Sequence, residues 1–191
     1  MKATYACCLL LLACDLPELR EGLAGDAAVP DAAPVSVRDA EPIPDAPAAP
    51  RSCDPAGWSV TASTSHPDDP PAHAIDGVPA TRWSTGAPQS PGQWFQVDLG
   101  EVVTVDGLVI EHRFGSDGVT DYPRALDVLA SNDGVQFGEP LASVTQSTDP
   151  GAPMTVSFEA HATRYLRLQL TQGAAEPWWS IHELTITCAS E

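Results

Sequence analysis

Alternation of apolar and polar residues with a period of two is the feature that most limits what this chain can fold into. It runs through residues 53–188 and is clearest at 93–100 (QWFQVDLG) and 164–170 (RYLRLQL). Side chains two positions apart lie on one face of a strand, whereas an amphipathic helix needs apolar residues every three or four positions. Dipeptides typical of turns separate the runs. The pattern predicts about eight strands and no long helix, which means an all-β antiparallel β-sandwich or jelly roll.

Two local features within this pattern can also be predicted. The apolar parity of the run 103–110 reverses after Gly107, which indicates a β-bulge. The tripeptide Asn132-Asp133-Gly134 lies between the apolar runs 126–131 and 135–137. This arrangement is typical of a tight hairpin, so the two runs are expected to pair as neighbouring strands.

Composition separates the strand-rich segment from the residues before it. Residues 15–52 contain seven prolines, eight acidic residues and no aromatic residue. Such a segment cannot bury enough apolar surface to offset the entropy of ordering it. We therefore expect a disordered linker over 14–52, a folded domain over 53–188 and a short tail over 189–191.

The first fourteen residues, MKATYACCLLLLAC, place one lysine before the apolar run 6–13. This run is too short to span a bilayer but suits the core of a signal peptide. Its end, from Leu11 to Cys14, resembles the lipobox of bacterial lipoprotein precursors. The resemblance implies a signal peptide over 1–13, lipidation of Cys14 and an exported protein anchored on a periplasmic or cell-surface face. An ordinary short signal peptide and a misassigned start codon are the alternatives.

Charge and missing motifs exclude several classes of function. The chain has 9 Lys+Arg against 26 Asp+Glu, a formal net charge of −17. Nucleic-acid binding needs clustered basic residues, so we expect no nucleic-acid partner. The sequence has no run of about eighteen apolar residues, so membrane contact is expected only through the lipid anchor. Hydrolase, zinc-protease and phosphate-loop motifs are also missing, and we expect no enzymatic activity.

Cys53 and Cys188 lie at the two ends of the strand-rich segment. In an exported protein two such cysteines are most simply explained as a disulfide. The bond is expected to join the first and last strands of the domain.

Five segments in register resemble the factor V/factor VIII type C, or discoidin-like, family, which includes carbohydrate-binding module family 32. They are AIDGVPATRW (74–83), QWFQVDLG (93–100), YPRALDVLASNDG (122–134), RYLRLQL (164–170) and IHELTI (181–186). The resemblance implies a jelly-roll sandwich of the galactose-binding-domain type. It also implies a non-catalytic module that binds its ligand through loops at one end.

The same resemblance implies a structural Ca²⁺ site. Its side-chain ligands are Asp76, Thr81 and Glu183, and its backbone carbonyl ligands are His73, Val78, Thr81 and His182. Calcium takes six to eight oxygen ligands of this mixed kind. In the alternative, Asp76 only builds a turn and Glu183 only pairs with Arg82.

The resemblance further implies a sugar site with an aromatic platform and polar readers. The candidate residues are His66, Arg113, Asp117, Trp178 and Trp179. One of the two tryptophans is expected to be the platform, with Trp178 pointing outward. Alternatively, His66 is an ordinary loop histidine and Arg113 pairs with Glu111 or Asp117.

The other large side chains are assigned to the structure rather than to a ligand. Trp58, Trp83 and Trp94 lie in or beside strands and are expected in the core. Ion pairs with acids on neighbouring strands are expected for three arginines: Arg82, Arg164 and Arg167.

These observations predict a surface lipoprotein that presents one binding module on a linker. The expected ligand is carbohydrate, as a glycan, a polysaccharide or a cell-surface glycoconjugate. The alternative is adhesion or assembly through an envelope protein. Binding to anionic lipid is disfavoured because the domain has five arginines against seventeen acids.

Overall fold

The computed structural model describes residues 51–146, 148–149 and 151–189. The predicted signal peptide, the lipidation of Cys14 and nearly all of the predicted linker lie outside these residues. None of the helices in the described residues is long and apolar enough to cross a membrane.

The described residues form nine strands and one short 3₁₀ helix, which confirms the all-β prediction. The strands are β1 (Arg51–Ser52), β2 (Ser59–Ala62), β3 (Trp83–Ser84), β4 (Trp94–Glu111), β5 (Ala125–Ser131), β6 (Ala142–Thr145), β7 (Met154–Leu170), β8 (Ser180–Ile181) and β9 (Glu183–Cys188). The 3₁₀ helix spans Pro71–Ile75, between β2 and β3.

The strands form a curled antiparallel β-sandwich. One sheet has the order β1-β9-β4-β7-β5-β6, with β2 also paired to β4, and a second sheet contains β3 and β8. The long strands β4 and β7 pair along most of their length, but their register shifts after Asp98 and again between Val105 and Gly107. The second shift confirms the predicted bulge. A Cβ atom at Gly107 would lie 2.7 Å from the carbonyl oxygen of Val156, so only glycine allows this approach.

The core follows the alternation seen in the sequence. Phe95, Val97 and Leu99 on β4 are buried, as are Leu166 and Leu168, which face them on β7. Burying side chains of this size stabilises the fold by about 1.5–3 kcal/mol each. The sandwich interior is therefore filled by every second residue of its two longest strands.

Aromatic rings complete the core beneath the second sheet. The rings of Trp83 and Trp179 are edge to face, with centroids 4.8 Å apart, and Phe95 packs 4.9 Å from Trp83. The prediction of a core position is confirmed for Trp83. Trp58 is half-buried and packs against the core, whereas the prediction is wrong for Trp94, which is half-buried and lies beneath the Arg167 guanidinium.

The predicted hairpin is wrong in its second strand. Residues 135–137 form no strand, and β5 pairs instead with β6, which begins at Ala142. The reason is local: Asp133 Oδ1 accepts hydrogen bonds from the backbone N–H groups of Val135 and Gln136. These donors are no longer available to a ladder, and Val135 is 78% exposed.

The predicted disulfide joins Cys53 to Cys188, across 135 positions of sequence. Beside it, β1 pairs with β9, with Arg51 opposite Cys188. The first strand thus begins two residues before the expected domain boundary.

Two of the arginines predicted to be structural differ in their partners. Arg164 on β7 forms a bidentate pair with Asp98 on β4, at 2.8 and 3.0 Å, as predicted. Arg167 contacts no acidic side chain among the described residues: it donates two hydrogen bonds to Gln96 and lies over the rings of Trp94 and Phe137. The expected ion pair is therefore replaced by cation–π contacts.

Candidate functional site

Three loops meet at one end of the sandwich. They join β2 to β3 (63–82), β4 to β5 (112–124) and β7 to β8 (171–179). Arg82 from the first loop contacts Asp117 and Asp121 of the second. His66 from the first loop contacts Trp178 of the third. Most of the residues proposed from the sequence as ligand readers therefore come together here.

The tryptophan of a stacked aromatic pair lines a groove at this end. The rings of His66 and Trp178 stack with centroids 5.5 Å apart and an interplanar angle of 27°. Asp68 donates its backbone N–H to His66 Nδ1 at 3.3 Å. The groove has a volume of about 300 Å³ and is lined by Thr120, Asp121, Glu176, Pro177 and Trp178.

The two adjacent tryptophans have opposite environments. Trp178 is half-buried and lines the groove, consistent with the expected outward position. Trp179 has no exposed surface and lies against Trp83, so its inclusion among the ligand residues is wrong. The two residues directly precede strand β8 in extended chain, where neighbouring side chains point to opposite faces, and this explains the difference.

Arg113 has a partner that neither alternative named. It donates to Asp149 Oδ2 at 3.0 Å and to the carbonyl of Gly151 at 3.0 Å, rather than to Glu111 or Asp117. Asp149 also contacts the buried His112 at 3.2 Å, and burial lowers the pKa of that histidine. The guanidinium thus fastens the loop before β7 to the end of β4, and its role as a sugar reader stays a prediction.

Arg82 is surrounded by three carboxylates. It lies 3.4 Å from Asp69, 3.1 Å from Asp117 and 3.4 Å from Asp121. Burial raises the pKa of Asp121. An ion pair with Arg82 thus holds Asp117. The suggested pairing of Arg82 with Glu183 is wrong, because the three aspartates contact this guanidinium instead.

The predicted side-chain ligands of the metal site lie close together, with Asp76 and Thr81 on the loop before β3 and Glu183 at the start of β9. Asp76 accepts hydrogen bonds from the backbone N–H of Val78 and from the hydroxyl of Thr81. Burial, and next the charge of Asp76, raise the pKa of Glu183. Oε1 of Glu183 is buried and finds no hydrogen-bond partner in the part of the chain that the structure describes. An unpaired carboxylate oxygen beside a second carboxylate fits a cation, so the donor set suits calcium.

Two histidines hold this loop in place through their rings. His182 is fully buried and its Nδ1 lies 2.9 Å from the carbonyl of Pro79. His73 Nδ1 lies 3.2 Å from the carbonyl of Arg82. The carbonyl of Val78 is turned toward the Thr81 hydroxyl at 2.8 Å. Within the described ranges, no group of three or more His, Cys, Asp or Glu side chains forms a metal site, so any ion here depends on hydroxyl and carbonyl oxygens as well.

Gln89 is a site residue that sequence reasoning missed. Its side chain is 3% exposed. Nε2 donates to the carbonyls of Tyr122 at 2.9 Å and Trp178 at 2.7 Å, and Oε1 accepts from the N–H of Arg124 at 3.2 Å. One amide thus joins the two loops that line the groove. No local pattern in the sequence marks this residue, since its partners are 33 to 89 positions away.

Comparisons with known proteins agree with this architecture. A galactose oxidase from Gibberella zeae is 31% identical over 140 residues, which cover 70% of this chain and 20% of the oxidase. The chain therefore spans about a fifth of the length of the curated relative.

Solved structures show the same fold. The family 32 carbohydrate-binding module of Clostridium perfringens NanJ, solved with galactose, has a TM-score of 0.60 and 25% identity, covering 71% of this chain and 97% of that one. Another C. perfringens module, CpGH89CBM32-5 in complex with GalNAc-β-1,3-galactose, has a TM-score of 0.62 and 22% identity, covering 71% and 99%. The family described as F5/8 type C domain matches residues 59–184. This match covers most of the described fold, and the chain belongs to the F5/8 type C domain family.

Proposed function

We propose that this domain is a non-catalytic carbohydrate-binding module that holds a glycan in the groove beside Trp178. The observation that supports this most directly is the ring of Trp178, which lines a groove at the loop end of the sandwich and stacks against His66. The relative from NanJ was solved with galactose, and a second with a galactose-containing disaccharide.

The chemistry of the groove suits a sugar. One face of a pyranose is lined by C–H groups that pack on an aromatic ring, while its hydroxyls need fixed polar partners. Trp178 supplies the aromatic surface, and Asp121 and Thr120 supply polar groups around it. A shallow site of this kind implies an affinity between millimolar and micromolar, about −4 to −8 kcal/mol.

We also propose that Ca²⁺ stabilises the loop before β3. Asp76, Thr81 and Glu183 would hold the ion with their side chains, and the carbonyls of His73, Val78, Thr81 and His182 would complete the shell. The ion would neutralise two adjacent carboxylates and satisfy the unpaired Oε1 of Glu183. Its role is structural, because it would join the loop to the first residue of β9.

Export and lipid anchoring through Cys14 belong to the same proposal. The module would then face the outside of a membrane, at the end of the 14–52 linker. In that position it would meet polysaccharide or glycoconjugate rather than intracellular metabolites.

A glycan array tests the function. The full chain carrying Cys14→Ser, which removes the lipid, is applied in the presence of Ca²⁺ beside a Trp178→Ala variant and a Phe137→Ala control. Phe137 is an aromatic residue that packs on Arg167, outside the groove. Binding that only Trp178→Ala loses supports the proposal. An array with no bound glycan, or equal loss in both variants, contradicts it.

A further inference from the structure

The loop that carries most of the predicted calcium ligands continues directly into an arginine that contacts the groove. Thr81 lies inside the predicted metal site, where its hydroxyl donates to Asp76 at 2.9 Å and its backbone N–H donates to the carbonyl of Val78 at 2.9 Å. The next residue, Arg82, is the last of this loop before β3. A change in the loop backbone at Thr81 therefore displaces the point from which the Arg82 side chain starts.

Arg82 reaches from this loop to the loop between β4 and β5. Its Nη1 lies 3.1 Å from Asp117 and 3.4 Å from Asp121, and Asp121 lines the groove. Its Nε lies 3.4 Å from Asp69 on its own loop. The side chains of Arg82 and Asp121 are only 19% and 14% exposed, so salt and water screen this pair less than a pair on the open surface. One guanidinium thus joins the loop with the calcium ligands to a wall of the groove.

Two arginines act on the Asp121 carboxylate from different loops. Burial raises its pKa, whereas the charges of Arg82 and Arg124 lower it. Arg124 belongs to the same loop as Asp121, where its guanidinium donates to the carbonyls of Tyr122 and Thr120. The position of Arg124 relative to Asp121 is therefore set within one loop, and only Arg82 depends on the loop with the calcium ligands.

A buried histidine ring makes a second connection between these two loops. Nδ1 of His182 lies 2.9 Å from the carbonyl oxygen of Pro79, on the loop with the calcium ligands. Nε2 lies beside Gly118 of the other loop, because a Cβ atom built on this glycine would be 3.2 Å from Nε2. The ring is fully buried, and buried groups are close-packed. A shift of one loop is therefore transmitted to the other.

We propose that Arg82 is a positioning residue that couples the calcium site to the groove, so that Ca²⁺ and glycan each bind more tightly when the other is bound. This inference deepens the proposed function and rests on it. The carboxylates of Asp76 and Glu183 lie close enough to repel each other, and bound Ca²⁺ would remove this repulsion and hold the loop in one arrangement. Arg82 would then meet Asp121 in a fixed position. A ligand that finds its site already ordered binds more tightly.

Calorimetry measures the coupling in both directions. Galactose and the strongest glycan from the array are titrated into the full chain carrying Cys14→Ser, with Ca²⁺ or with a chelator. Ca²⁺ is then titrated with and without saturating glycan. The temperature is one at which circular dichroism shows the chelated protein to be folded. We expect each ligand to raise the affinity for the other by the same factor, about fivefold, which is the lower end of usual couplings because the ion pairs are partly exposed.

Arginine variants locate the coupling. Arg82→Gln should reduce the factor to about one, whereas Arg164→Gln should retain it. Arg164 is the matched control because it also pairs with an aspartate, but between strands β7 and β4 rather than between loops. If Arg82→Gln does not fold, Arg82→Lys takes its place. Its factor should fall below about two, because an ammonium group does not reproduce the planar contacts of a guanidinium.

The outcomes separate the inference from the proposed function. Equal glycan affinity with and without Ca²⁺, or a factor unchanged in the folded Arg82 variants, overturns the inference and leaves carbohydrate binding in place. The inference also fails alone if glycan binds but Ca²⁺ does not, if neither Arg82 variant folds, or if the chelated protein is unfolded at every temperature. If no glycan binds under any condition, the proposed function fails and the inference with it.

Discussion

Replacing Gln89 by methionine tests whether one buried amide holds the two walls of the groove. Methionine has nearly the same length and is accommodated in irregular gaps, so the change mainly removes polarity. It leaves the carbonyls of Tyr122 and Trp178 and the N–H of Arg124 without their partner.

The expected cost follows from these three groups. A buried donor or acceptor left unsatisfied costs about 1–3 kcal/mol, and groups near a loop surface regain some water contact. The sum is about 3 kcal/mol, which for a domain of this size lowers the melting temperature by about 10 °C. Binding of any glycan identified on the array should weaken further than the loss of folded protein explains, because Trp178 loses its anchor.

Urea denaturation followed by tryptophan fluorescence measures the change in the free energy of unfolding. Gln136→Met is the matched control, since Gln136 is exposed in the connection after β5. A difference below about 0.5 kcal/mol between the two variants would refute the assignment of Gln89 as the link between the loops. Lower stability with unchanged affinity in the folded protein would restrict Gln89 to a structural role.

Three further predictions concern the disulfide, the ion pair on the sheet and the calcium site. Replacing Cys53 and Cys188 together by serine should lower the free energy of unfolding by about 2–5 kcal/mol. The variant should unfold at the same denaturant midpoint as the parent protein with its disulfide reduced, and a different midpoint would contradict the prediction. Arg164 lowers the pKa of Asp98, so this carboxylate contributes stability above its unfolded pKa that is lost as the pH falls below about 4. Asp98→Asn should lower the free energy of unfolding by about 0.5–1 kcal/mol at neutral pH and have little effect in acid. A difference between the two proteins that does not change with pH would contradict this prediction. Chelation of calcium should lower the melting temperature of the parent protein and leave that of Glu183→Gln unchanged. An equal decrease in both proteins would show that Glu183 is not a calcium ligand.

Features of the fold that depend on neighbouring residues were predictable from the sequence. The period of two placed Phe95, Val97 and Leu99 in the core, and the change of parity located the bulge at Gly107. The hairpin at 132–134 was misread because the side chain of Asp133 takes the N–H groups that a returning strand would need. Pattern alone does not show which backbone donors a side chain will occupy.

The site depended on contacts that sequence order conceals. The nearby acids suggested as partners for Arg113 were wrong, because Asp149 approaches from 36 positions away. Gln89 had no local signature, since its importance comes from three backbone groups brought together by folding. That one of the two adjacent tryptophans faces outward was predictable, because neighbouring residues entering a strand face opposite sides. The structure shows that Trp179 is the buried one.

The Cys53–Cys188 bond also decides how the domain would respond to mechanical load. Tension transmitted along the chain from residues before Arg51 would peel only the short β1 strand before reaching a covalent junction. At the disulfide the force passes both into the chain that follows Cys53 and, through Cys188, into β9. Strand β9 pairs with β4 in the middle of the larger sheet. Beyond β1, further unfolding under this pull would have to separate β9 from β4 along their paired length. A domain closed by this bond would withstand longer pulls from its N-terminal side than its thermodynamic stability alone suggests.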